Sequence, residues 1–176
     1  MFRLSLGFPP NRGRIGSGSG SIVSRGRVAD IEIAQAEADS LIAMEKRFID
    51  ATDWTFPAAG QRIALDLISA DKRENFMLDL TRSQIKLTQA TYQNRARKAI
   101  ILMRLDLDGP PHRNPDETEI PCPHLHVYRE GYGDKWAILA PRDRYADTQD
   151  LFSICEAFMQ HCNIAGPYNM QKGLFS

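Results

Sequence analysis

The chain holds only three cysteines, Cys122, Cys155 and Cys162, and no two of them form a CxxC pair. An odd, scattered set argues against a disulfide framework and reads as buried free thiols in a reducing compartment. Cys155 and Cys162 lie seven apart, so one helix would turn both to the same face. No apolar run approaches the roughly 18 residues that cross a bilayer, and no apolar core follows the N-terminal arginines, so no membrane and no secretory signal are expected. The expected location is the cytoplasm. There is no net charge to point at a partner, because Lys+Arg and Asp+Glu stand at 22 each. GxxxxGK[ST], HExxH and GxSxG are missing, and "GSGSG" lacks the spacing and the flanking strand and helix of a dinucleotide fingerprint.

What is present divides in two. Residues 1–28 carry five arginines and no acid around a "GSGSGS" centre. They read as a flexible basic tail, or as an arm that touches nucleic acid. Residues 29–176 read as a single α+β domain. Ile31, Ala34, Ala38, Leu41 and Phe48 follow a helical 3-4 spacing, interrupted by Glu45, with Asp30 as the cap. The period then becomes two. "RIALDLIS", "NFMLDLTR", "QIKLTQATY", "KAIILMRLDL", "HLHVY" and "KWAILA" are six alternating runs, the pattern of an antiparallel meander with one face buried. "QNRAR" is expected as a connection and the proline-rich "DGPPHRNPDETEIPCP" as a rigid surface loop. "DTQDLFSICEAFMQHCNI" returns to helical spacing, capped by Asp147 or Thr148, and is expected to pack on the sheet. His161 is expected as a cation at that helix's C-terminal end.

The candidate chemistry centres on "PHLHVYREG". In a strand, Leu125 and Val127 face inward, so His124, His126 and Tyr128 share the other face, each about 6–7 Å from the next. A hairpin through the preceding loop would bring His112 beside them. Paired imidazoles supply a general base and a general acid near neutral pH, which cleavage of RNA through its 2′-hydroxyl requires. Tyr128 and Arg104 are the candidates for contact with the scissile phosphate. Between Leu80 and Leu105 six cations occur without one acid. Of these, Arg82, Lys86, Arg95, Arg97 and Lys98, with Tyr92, are expected to track a nucleic-acid backbone, unless acids from elsewhere neutralise them. A metal is the rival for the histidines, with Asp106, Asp108 or His112 completing the set. The leading expectation uses no metal and no cofactor.

The phrases "GPPHRNPD" and "PHLHVYREG" resemble an uncharacterised bacterial, prophage-like protein family, with a likeness running from about Leu41 to Phe175. That resemblance implies no activity. The helix, meander, helix order is similar, in architecture alone, to RelE/barnase-like endoribonuclease toxins, and carries over no catalytic residue. The expectation is therefore a small cytoplasmic RNA-acting protein, toxin-type or phage-defence-associated, with RNA and an antitoxin or host protein as partners. The alternatives are a non-catalytic interaction module of a mobile element and a metal-dependent hydrolase.

Overall fold

The structure, a computed structural model, describes residues 32–50, 53–145 and 150–173. The expected tail 1–28, the caps Asp30, Asp147 and Thr148, and Ile31 lie outside the described residues.

The α+β class is as expected. Helix α1 (Gln35–Ala43) leads into edge strand β1 (Lys46–Phe48) and the short β2 (Trp54–Thr55). Four long strands follow: β3 (Arg62–Ser69), β4 (Asn75–Arg82), β5 (Ala90–Ala96) and β6 (Ile100–Leu107). A small hairpin of β7 (His112–Arg113) and β8 (Glu119–Ile120) precedes β9 (His124–Val127) and β10 (Ala137–Leu139). Helix α2 (Leu151–His161) comes next, and β11 (Met170–Gln171) pairs in parallel with β2. Seven strands form one antiparallel sheet in the order β1-β3-β4-β5-β6-β9-β10.

The helices cover one face of this sheet. Tyr92 of β5 is fully buried there; its hydroxyl donates to Leu151 O at 2.8 Å and its ring meets Phe158 at 6.1 Å. Phe56 packs edge-on against Tyr92 and Phe152. The other face, which carries Arg62, Ala64 and Asp66, is exposed at β3. Toward β6 and β9 it is half-buried to buried.

Three expectations need correction. The first helix stops at Ala43, and Phe48 belongs to β1, whose Lys46–Phe48 pairs with Leu67–Ser69. The physical cause is Lys46. Its fully buried ammonium donates to Ile42 O (3.0 Å), Met44 O (2.8 Å) and Cys162 O (2.9 Å), so it ties off the C-terminal ends of both helices. The third strand is displaced: Ile85 and Leu87 lie exposed in a turn, and β5 includes the Asn94–Arg95–Ala96 stretch expected as a connection. Pairing of Tyr92 with Leu80 and Leu105 fixes that register, and an irregularity at Asn94/Arg95 shifts its phase. The proline-rich loop contains the β7–β8 hairpin. At the chain's other end Asp150 caps α2 by accepting from Ser153 N at 3.3 Å.

Burial pushes the Lys46 ammonium down to about 8, and three carbonyls still hold it. Lys46→Met keeps an apolar side chain of similar length but removes the ammonium that lies 4.8 Å from the Phe76 ring centre and leaves those carbonyls without a donor. Urea unfolding is expected to show a loss of roughly 2–4 kcal/mol, since each buried carbonyl left unpaired carries its own desolvation cost.

Candidate active site

Register builds the candidate site. On the face away from the helices, β5, β6 and β9 align Thr91 with Asp106 and Asp106 with His124, while Gln93 stands opposite Arg104 and Arg104 opposite His126. Alternation thus places a hydroxyl, a carboxylate, a guanidinium and two imidazoles side by side.

The β7–β8 hairpin adds His112 from above. Ring centroids are 4.5 Å apart for His112 and His126, 5.1 Å for His124 and His126, and 5.8 Å for His112 and His124. The expected convergence of three histidines is present.

Backbone carbonyls orient two of the rings. His126 Nδ1 lies 2.7 Å from Asp134 O and His112 Nε2 lies 2.9 Å from Lys135 O. A carbonyl only accepts, so these nitrogens carry the protons. His126 Nε2 is left with a lone pair, and Arg104 Nη2 donates to it at 2.9 Å. Arg104 Nε also donates to Asp106 Oδ2 at 3.0 Å, and Nη1 pairs with the Asp134 carboxylate. Asp106 further accepts from Thr91 Oγ1 at 2.7 Å and lies 3.5 Å from His124 Nε2.

Burial would raise the Asp106 carboxyl. Hydrogen bonds from His124 and Thr91, together with the Arg104 charge, outweigh burial and hold it well below the usual carboxylate range.

Not every member can meet a substrate. His112, His124, Asp106 and Thr91 line a cleft of about 280 Å³, together with Gln89, Gly109 and Pro110. His126 is fully buried, outside the cleft lining, and holds Arg104 in place; His124 is buried as well, at 3% exposure, but belongs to that lining.

Asp106, His124 and His126 offer ligand atoms within 4.8 Å of one another, a spacing that could hold a divalent cation. The Arg104 guanidinium, bonded to both Asp106 Oδ2 and His126 Nε2, already brings positive charge to that point. We therefore read the three as an ion-pair network. Of the other residues expected as possible ligands, Asp108 pairs with Lys86 and His112 bonds to Lys135 O.

The remaining expected site residues separate from this cluster. Tyr128 follows the end of β9 and its ring is in the core; its hydroxyl accepts from Ile33 N (2.9 Å) and donates to Ile33 O (2.8 Å). Tyr92 is interior. Arg82 is buried too, donating to Pro57 O at 2.9 Å over the Phe56 ring.

The acid-free run meets its acids across the sheet. Lys86 pairs with Asp108 (2.6 Å), Arg95 with Asp79 (2.6 Å), and Arg97 with Glu74 (2.7 Å) and Glu37 (2.8 Å). Lys98 is exposed in the β5–β6 turn. The expected track along a nucleic-acid backbone is not formed by these residues. His161, expected as a helix-end cation, is instead bonded to the Tyr145 hydroxyl at 2.8 Å, and burial lowers its pKa.

Three members of the cluster went unread in the sequence as site residues: Thr91, an ordinary polar position of an alternating strand, and two others. Asp134 sits in a turn and gave no periodic signal. Cys122 precedes His124 by two positions, the spacing that sets two side chains on one face, and its Sγ lies 3.4 Å from His124 Nδ1.

A depressed carboxyl contributes stability that is present above its unfolded value, 3.8 for Asp106, and lost as pH falls below it. Acid unfolding between about pH 4 and pH 2 should therefore be shallower for Asp106→Asn than for the wild type. Equal slopes would mean that Asp106 is not held by this network.

Among the described residues no helix is long and apolar enough to cross a membrane. Comparisons with curated proteins and with solved structures returned no significant match. Residues 33–164 match a family model, and the chain belongs to that family of unknown function, DUF6978.

Proposed function

We propose that the protein is a metal-independent acid–base enzyme that cleaves RNA. The observation that carries this reading is the pairing of His112 and His124 across one cleft, with ring centroids 5.8 Å apart. In this reaction His124 takes the 2′-hydroxyl proton. The 2′ oxygen attacks phosphorus, and the 5′ oxygen leaves with a proton given by His112. The products are a 2′,3′-cyclic phosphate and a 5′-hydroxyl end. Asp106, held ionised beside His124, stabilises the imidazolium that forms there. Arg104 is a positioning residue: it holds Asp106 and His126, and through them the geometry of the imidazole cluster.

The lack of a cationic track narrows the substrate. A cleft of about 280 Å³ suits a single flexible nucleotide step in a loop or unpaired strand better than a long duplex. The helix, meander, helix order supports the reading further, as an analogy of architecture with endoribonuclease toxins. Under the same reading an antitoxin-like protein is a natural partner.

Purified protein incubated with unpaired RNA in chelator should give cyclic-phosphate ends, and His124→Ala should lower turnover by roughly 10²–10⁴-fold. Cleavage that stops in chelator and leaves 5′-phosphate ends would assign the Asp106, His124 and His126 cluster to a metal instead. Turnover unchanged in His124→Ala would remove the histidine mechanism.

A further inference from the structure

Cys122 differs from the other two thiols. Cys155 and Cys162 are fully buried in the core, at 0% and 1% exposure. Cys122 is only partly buried. Its sulfur accepts from Gly109 N at 3.2 Å and sits 3.4 Å from His124 Nδ1. The other ring nitrogen, Nε2, lies 3.5 Å from Asp106 Oδ2. A thiol, an imidazole and a carboxylate thus follow in a line, the arrangement in which a base takes the proton of a nucleophile and a carboxylate steadies the charged base.

The sulfur is set among Gly109 N, His124 Nδ1, Asp106 O and Pro110 O. A Cβ built on Gly109 would stand 3.6 Å from Cys122 Sγ and 3.6 Å from Gln89 Nε2. That is ordinary packing distance, so Gly109 stands directly against the sulfur, and Gly109, Gln89 and His124 all line the cleft. The thiol therefore lies next to the cleft, against two residues of its lining.

We propose that Cys122 is a covalent regulatory site that exchanges with low-molecular-weight disulfides and thereby closes the cleft. The Sγ–H proton passes to His124 Nδ1 as the sulfur attacks one sulfur of the disulfide. A new S–S bond forms at Cys122, the old S–S bond breaks, and the departing thiolate takes the proton back from His124. The protein thiol is oxidised to a mixed disulfide, and half of the reagent is reduced to a thiol. The adduct lies against His124, the base of the RNA reaction; this consequence rests on the proposed function.

The test uses the full chain and glutathione disulfide, read by intact mass and peptide mapping. One adduct is expected, on Cys122, removable by dithiothreitol, with Cys155 and Cys162 untouched; their protection reports that each variant is folded. His124→Gln should slow the exchange at least about tenfold. Gly109→Val, which adds bulk beside the sulfur, should slow it as well. No adduct at Cys122, or equal rates in wild type and His124→Gln, would overturn the proposal. RNA cleavage forms the second arm. Loss of cleavage on adduct formation and recovery with reductant would support the regulatory step, and cleavage that persists in the adduct would overturn it. Adduct formation in a protein that never cleaves RNA would keep the covalent site and remove the ribonuclease reading alone.

Discussion

The candidate site depends on one guanidinium. Arg104 donates to the Asp106 carboxylate, pairs with that of Asp134 and donates to the His126 ring. It thereby joins β6, β9 and the turn before β10 at a single point. Two carboxylates in a half-buried place need a positive partner, since an uncompensated buried charge is far more costly than an unmade hydrogen bond. That requirement makes the orientation of the surrounding imidazoles a consequence of folding. His126 can present its lone pair to Arg104 only if its other nitrogen donates, and Asp134 O is there to accept.

The same arrangement separates the roles of the three histidines. His126 is enclosed and serves the geometry. His112 and His124 border the cleft, where a reacting group has room beside both. Lys46 does comparable work at the opposite edge of the sheet, anchoring both helices through three carbonyls. The helices cover the far face, so the face bearing the cluster is left for chemistry.

Much of this was legible from alternation. His124 and His126 were expected on one face because Leu125 needed the other, and the sheet register places them beside Arg104 and Asp106. His112 was expected to return through a hairpin, as it does. Tyr128 misled because the strand ends at Val127, after which the ring turns into the core toward Ile33. The cationic run misled for a different reason. Antiparallel pairing brings strands distant in sequence together, so Asp79 of β4 meets Arg95 of β5, and Glu74 meets Arg97 across the adjoining turns. Charge counted along a chain does not predict charge across a sheet. Glu45 interrupted the helical stripe at the place where the helix gives way to β1, a cue that the apolar spacing alone outweighed.

The most direct measurement is a titration of the imidazole ¹H–¹⁵N resonances with a 2′-deoxy oligonucleotide, which can bind but cannot be cleaved by the 2′-hydroxyl route. The account predicts that the His112 and His124 signals move together as the cleft fills, while His126, enclosed by Arg104 and Asp134, moves least. Perturbation confined to surface cations such as Lys98, with all three rings unmoved at saturation, would contradict it.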